Sequence, residues 1–169
     1  MVDIAKNSGG DKKIEKLEKI EKLRPSNQTS LEPNILESKE IAITAVSAAI
    51  DQKGLDIRTL DIKLISDIAD YFVIISATSE RHAKGITDKI LDNLREKGER
   101  VLSLDGYDQA EWVLLDYGSV IVHVFYEPKR QYYSFDELWK NAPEVELEPM
   151  LASQARKFKT GIPYSTKNT

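Results

Sequence analysis

Carboxylates are the side chains whose spacing in this chain first suggests chemistry. Asp105 and Asp108 flank Gly106, and Asp116 ends a hydrophobic run. A nucleotidyl-transfer site needs two or three carboxylates close together on a strand to hold magnesium. The preceding predicted strand, residues 101–104, has no acidic residue, so that set is missing, and we interpret Asp105 and Asp108 as turn formers. We therefore predict no catalytic residue, no metal site and no cofactor.

The two histidines give no stronger chemical signal. His82 and His123 follow no metal-ligand spacing, and no nucleophile motif accompanies them. We expect His123 to lie near Asp116 across a hairpin and to be held by it. Thr78 and Ser79 precede a predicted helix, where an N-cap accounts for both hydroxyls better than an anion site does.

The most informative segment is residues 111–126, EWVLLDYGSVIVHVFY, which predicts a β-hairpin turning at Gly118. Side chains alternate between the two faces of a strand. The nearly apolar set is predicted to face the core: Val113, Leu115, Tyr117, Val120, Val122 and Val124. The mixed set lies on the other face: Trp112, Leu114, Asp116, Ile121, His123 and Phe125.

Trp112 and Asp116 are the residues of that mixed face that we favour for binding. Tryptophan is enriched at binding hot spots, and a neighbouring acid can form a charge-assisted bond with a basic partner. The alternative for Trp112 is a structural role as the cross-strand partner of Phe125 beneath the first helix. We expect Trp139 to cap the core, and Arg130 has the alternative role of a surface charge at a helix end.

Charge is distributed unevenly along the 169 residues. Residues 41–150 hold 20 acidic and 12 basic side chains, a net charge of −8, whereas residues 151–169 hold four basic side chains and no acidic one. An acidic domain repels a phosphate backbone, so DNA binding is disfavoured and a basic protein partner is favoured. The alternative is that the acidity serves solubility alone.

Composition and periodicity predict the organisation. The absence of cysteine and of a long apolar run predicts a cytoplasmic protein with no membrane contact. Residues 1–37 predict a flexible extension, residues 38–146 a folded domain and residues 147–169 a basic tail. The domain pattern predicts the order α-β-β-α-β-β-β-α, an α/β fold with a mixed sheet of about five strands and helices packed on it.

An ordered set of motifs within residues 38–146 resembles the ribosomal silencing factor family, also called the Iojap family. The motifs are LDI at residues 60–62, DYFVI at 70–74, TSERHAKGI at 78–86, EWVLLDYG at 111–118 and VIVHVF at 120–125. Arg130, Tyr132, Tyr133, Leu138 and Trp139 follow. The resemblance implies a nucleotidyltransferase-like fold without that activity.

It also implies a translational repressor that binds the fourteenth protein of the large ribosomal subunit and blocks joining of the small subunit. Homodimers are known in the family, and the basic tail is a candidate for weak contact with ribosomal RNA. A diverged nucleotidyltransferase-like enzyme or nucleotide-binding protein stays the alternative. The residues predicted to bind the partner are Asp70, Trp112, Leu114, Asp116, Tyr117, Arg130 and Tyr133.

Overall fold

A computed structural model describes residues 36–149 and 151 of the chain. Strands and helices follow one another in the predicted order, which is confirmed, and the last predicted helix is split in two. Ser134 makes the split because it has a left-handed backbone with φ of 49°. The elements are α1 (Ser38–Asp51), β1 (Leu55–Asp61), β2 (Tyr71–Ala77), α2 (Glu80–Glu96), β3 (Ser103–Asp105), β4 (Trp112–Asp116), β5 (Val120–Tyr126), α3 (Glu127–Tyr132) and α4 (Phe135–Leu138).

The five strands form one mixed sheet in the order β1-β2-β5-β4-β3. Strands β2 and β5 pair in parallel, and the other neighbours pair antiparallel. The predicted mixed sheet is therefore confirmed. Every residue of β2 is buried, as its continuous apolar sequence predicts, because both faces of the sheet are covered at this strand.

Two apolar clusters lie on the two faces of the sheet. Helices α1 and α2 cover the larger one, to which Val73 and Ile75 of β2 belong. The smaller cluster includes Phe72 and Ile74 of the same strand, together with Phe135 from α4. The short C-terminal helices therefore provide thinner cover on the second face, where the predicted binding side chains Trp112 and Leu114 pack, whereas Tyr117 belongs to the larger cluster.

The two edges of the sheet differ in how they are protected from pairing with a strand of another molecule. Along β1, the Asp61 N–H donates to the Pro143 carbonyl at 2.9 Å and the Val145 N–H donates to the Thr59 carbonyl at 2.9 Å. At the opposite edge, all three residues of β3 are exposed. A short edge strand that carries charge resists edge-to-edge association.

The fold extends beyond the predicted domain boundaries at both ends. Leu36 is buried in the larger cluster, and its N–H donates to Glu99 Oε1 at 2.8 Å. Leu147 and Leu151 are partly buried against the same cluster. The remainder of the predicted extension and tail, residues 1–35 and 152–169, lies outside the described residues. Over the described ranges, no helix combines the length and apolar character that crossing a membrane requires.

Candidate partner-binding face

The hairpin of β4 and β5 has the predicted alternation of faces. Trp112 pairs with Phe125, and Leu114 pairs with His123. Residues directly opposite each other in an antiparallel pair lie on the same face, so these four side chains share one surface. The predicted core-facing set is buried throughout: Val113, Leu115, Tyr117, Val120, Val122 and Val124.

The turn of the hairpin explains the position of Asp116. The Tyr117 N–H donates to the Val120 carbonyl at 2.9 Å, and Gly118 has a φ of 80°. Such a backbone favours glycine because a Cβ atom strains it. Asp116 Oδ1 accepts from the Gly118 N–H at 2.7 Å, so this carboxylate orders the turn.

Trp112 is half-buried on the mixed face. Its ring stacks on Phe125 with centroids 4.9 Å apart, and Tyr133 lies at 5.1 Å. Its indole N–H donates to Nδ1 of His123 at 3.2 Å. The cross-strand role with Phe125 is thus confirmed, but the predicted position beneath the first helix is wrong, because both residues pack in the cluster on the opposite face of the sheet. Trp112 is only half-buried, so a partner can contact it.

The expected pairing of His123 with Asp116 is wrong. The imidazole accepts from Trp112, while Asp116 is opposite Ile121 and bonds the turn backbone. His123 is 4% exposed, and this burial lowers its pKa to about 3 because desolvation penalises the charged form. The imidazole is therefore neutral at physiological pH.

Asp105 joins the mixed face, which the sequence interpretation missed. It is the last residue of β3 rather than a loop residue, and it pairs with Leu114, so its side chain lies on the same side of the sheet. Ser103, which pairs with Asp116, donates its hydroxyl to Asp105 Oδ2 at 2.8 Å. We define the acidic aromatic face as Trp112, Leu114, Asp116, Asp105 and Tyr133.

Arg130 does not lie on the surface, so its alternative role as a helix-end surface charge is wrong. Its side chain is 2% exposed and forms a bidentate pair with Asp136, Nε to Oδ2 at 2.7 Å and Nη2 to Oδ1 at 2.9 Å. Nη1 donates to the Ser76 hydroxyl and to the Asp56 carbonyl, at 2.9 and 2.8 Å. The hydrogen bonds from Arg130 are the main cause that lowers the pKa of Asp136 to about 2.

The other predicted binding residues have different environments. Tyr133 is 42% exposed and lies in the aromatic group around Trp112. Asp70 is half-buried at the hairpin-turn end of the sheet, where its N–H donates to the Ser119 carbonyl at 2.7 Å. Tyr117 is buried, and burial raises its pKa to about 12. The structure therefore brings Trp112 and Tyr133 together and gives neither Tyr117 nor Arg130 an exposed side chain.

Two further expectations concern packing and capping. Trp139 is half-buried with its ring edge-on to Phe72 at 4.6 Å, so its role as a cap on the core is confirmed. The Ser79 hydroxyl accepts from the His82 N–H at 3.0 Å, which is the predicted N-cap of α2. The Thr78 hydroxyl does not cap the helix but lies 3.1 Å from Nδ1 of His82, so the N-cap accounts for only one of the two hydroxyls.

Within residues 36–149 and 151, no group of three or more His, Cys, Asp or Glu side chains is arranged to hold a metal ion. An open groove of about 360 Å³ lies between α1 and α2, with Glu148 and Leu151 in its wall. This groove is on the helical side of the sheet, so it is separate from the acidic aromatic face. The fold and the face together define a small mixed α/β domain that presents aromatic and acidic side chains on the thinly covered side of its sheet.

The chain belongs to the ribosomal silencing factor family. Residues 35–168 match the family described as "Ribosomal silencing factor during starvation". A ribosomal silencing factor RsfS of Halalkalibacterium halodurans is 39% identical over 117 residues, which are 69% of this chain and 100% of that protein. The resemblance inferred from the motifs is thereby confirmed.

A crystal structure of a Chromobacterium violaceum protein has a TM-score of 0.60 and 32% identity, covering 62% of this chain and 88% of that one. A more distant mouse relative, 28% identical over 97 residues, is named mitochondrial assembly of ribosomal large subunit protein 1; the match covers 56% of this chain and 42% of that protein. Membership of the family makes this protein a ribosome-associated silencer of translation, and the family is named for regulation rather than for an enzymatic reaction.

Proposed function

We propose that the acidic aromatic face binds the fourteenth protein of the large ribosomal subunit and that the bound silencer sterically blocks joining of the small subunit. The observation that carries the proposal is a half-buried Trp112 beside Leu114, with the carboxylates of Asp105 and Asp116 at paired positions around them. The name of the mouse relative, which refers to the large subunit, supports the same target.

Electrostatics favours a basic partner for this face. Residues 41–150 have a net charge of −8, and the carboxylates of Asp105 and Asp116 lie beside the apolar side chains. Complementary charge accelerates encounter and suppresses wrong partners more than it raises affinity. Salt should therefore slow association more than it speeds dissociation.

The aromatic packing makes Trp112 suited to anchor an interface. Its ring is held by Phe125 at 4.9 Å and Tyr133 at 5.1 Å, so little side-chain freedom is lost when a partner covers it. Truncation of such an anchor costs about 2 kcal/mol or more of binding free energy. Asp116→Asn should cost less, through a weakened charge-assisted bond, while the turn keeps an acceptor for the Gly118 N–H.

The test compares Trp112→Ala and Asp116→Asn with two controls away from the face. Leu64→Ala changes an apolar side chain that is fully exposed, and Asp92→Asn changes an acid on α2 that pairs with Arg95. Each variant is sedimented with purified large subunits in a sucrose gradient and then assayed for inhibition of subunit joining. Melting curves establish that each variant folds.

Loss of co-sedimentation by the two face variants, with both controls like wild type, supports the proposal. If both face variants are folded and still block joining at an unchanged concentration, the binding surface is elsewhere. Asp70, which is half-buried and outside this face, is then the next candidate. Arg130 and Tyr117, which are also in the expected set, have buried side chains, and Tyr117 belongs to the larger cluster on the other face of the sheet, so neither is the next candidate.

Two further expectations belong to the same proposal. The four basic side chains of residues 151–169 contact ribosomal RNA weakly, and the affinity for large subunits should then depend less on salt after residues 152–169 are removed. The protein also forms a homodimer, which sedimentation velocity over a range of concentrations tests directly. A salt dependence that the truncation leaves unchanged contradicts the first expectation, and a monomer at every concentration contradicts the second.

A further inference from the structure

His123 is a buried polar side chain whose position the core does not explain. It lies in the middle of β5, 4% exposed, with the rings of Phe72 and Phe135 at 4.8 and 4.6 Å. Among the described residues its Nε2 has no hydrogen-bond partner. An apolar side chain at this position would avoid an unpartnered donor, so packing alone gives no reason for an imidazole.

The contact with Trp112 determines the protonation of the ring. An indole N–H only donates, so Nδ1 of His123 must be the unprotonated nitrogen, and the single proton of the neutral imidazole lies on Nε2. The lowered pKa of His123 agrees with a neutral ring. The imidazole thus serves as an acceptor for one group, the indole of Trp112.

This bond fixes which part of the indole faces a partner. Nε1–H is the only polar group of a tryptophan side chain, and in Trp112 it donates inward to Nδ1 of His123 at 3.2 Å. Phe125 stacks on the same ring at 4.9 Å, so packing and the hydrogen bond together restrict rotation of the side chain. The exposed part of Trp112 offers an aromatic carbon surface and no donor.

We propose that His123 is a positioning residue that orients Trp112 for partner binding, so that the partner meets the indole with the side chain of a basic residue rather than with a hydrogen-bond acceptor. A Lys or Arg side chain can lie on an indole through its alkyl stem and its cation without accepting a hydrogen bond. This inference rests on the proposed function, because the effect on the partner is transmitted through the acidic aromatic face.

The test uses a matched pair of variants, His123→Asn and His123→Leu. Asn and Leu have similar shapes, but only Asn can place an oxygen near the position of Nδ1. Both are made with Trp139→Phe, so that one indole signal remains in the ¹H–¹⁵N spectrum, and hydrogen exchange of that indole N–H is measured. Affinity for purified large subunits is measured on the same samples.

The Asn variant should keep a protected indole N–H and near-native affinity. The Leu variant should stay folded, exchange its indole proton faster and lose about tenfold in affinity, the amount that one hydrogen bond is worth. Unchanged indole exchange in a folded Leu variant overturns the inference, and so does faster exchange with unchanged affinity.

A measurement on the unsubstituted protein keeps the test valid if the Leu variant fails to fold. Imidazole ¹⁵N shifts should show His123 protonated at Nε2 alone at pH 6, and an imidazole that is protonated at Nδ1 or charged overturns the inference. Failure of the proposed function is distinguished by Trp112→Ala. If that variant binds large subunits normally, the acidic aromatic face is not the binding surface and the proposed function fails. If Trp112→Ala loses binding and His123→Leu binds normally, only the positioning role of His123 is refuted.

Discussion

Replacing Arg130 by Met should destabilise the domain far more than any change to an exposed charge. The guanidinium is 2% exposed and donates to Asp136, to the Ser76 hydroxyl and to the Asp56 carbonyl. These contacts join the α3–α4 segment to the ends of β1 and β2. Methionine retains much of the side-chain length but leaves the fully buried Ser76 hydroxyl and the Asp56 carbonyl without this donor.

The magnitude follows from comparing two arginines that bind the same carboxylate. Removing Arg130 leaves the buried Ser76 hydroxyl without this donor and breaks hydrogen bonds to Asp136, which is 39% exposed and regains water, so the expected cost is about 2–4 kcal/mol. Arg58 also bonds Asp136, but 24% of its side chain is exposed, so Arg58→Met should cost about 1 kcal/mol. For a domain of this size the Arg130 variant should melt about 10–20 °C lower than wild type.

Asp136 reports the same interaction through its titration. Its pKa is lowered from 3.8 to about 2, so its contribution to stability is present above pH 3.8 and is lost as the pH falls toward 2. Without the hydrogen bonds from Arg130, which are the main cause of the shift, the pKa of Asp136 should rise toward its ordinary value. Carboxyl NMR titration of Asp136 in wild type and in both Arg variants measures this directly.

The assay is thermal unfolding of wild type, Arg130→Met and Arg58→Met, followed by binding to large subunits below the melting range. We expect the Arg130 variant to bind more weakly through displacement of Tyr133, which follows α3 and packs near Trp112. A melting temperature equal to that of Arg58→Met would refute the buried-network reasoning. Normal stability with lost binding would instead make Arg130 a direct contact to the partner.

Three further outcomes are expected. The pKa of His123 is about 3 in the folded protein, whereas that of an unfolded histidine is about 6.5. The free energy of unfolding should therefore fall as the pH drops below 6.5, by about 2 kcal/mol at pH 5. Urea unfolding of wild type and His123→Leu should show this loss only in wild type. Gly106→Ala should prevent or severely weaken folding, since φ is 75° and an added Cβ would lie 2.1 Å from the Trp112 carbonyl oxygen. Gly98→Ala, with φ of 89° and no atom within 4 Å, should cost about 1 kcal/mol in the same denaturation assay. A fragment of residues 36–151 should unfold cooperatively near the melting temperature of the full chain, whereas starting at residue 37 should lower it because Leu36 is buried.

Local pattern in the sequence is sufficient for the element order and for the two faces of the hairpin. Side chains alternate along any extended strand, so the apolar set from Val113 to Val124 identifies the core-facing side before the sheet is known. The continuous apolar run of β2 likewise predicts burial on both faces, and all seven of its residues are buried. The capping hydroxyl of Ser79 is also a local signal, because it and the His82 N–H that donates to it are three residues apart.

The tertiary structure alone decides which side chains from separate elements meet. Asp105 joins the face only through the register of β3 against β4, and a three-residue exposed strand leaves no pattern that could reveal that register. Arg130 resembles a surface charge in sequence, yet it is buried and ion-paired because Asp56 and Ser76, from distant strands, and the nearby Asp136 all contact it. His123 bonds Trp112 rather than Asp116 because the turn backbone already engages the carboxylate. Periodicity assigns a side chain to a face, but its partner depends on strand register and on competition among nearby donors and acceptors, which exist only in the folded chain.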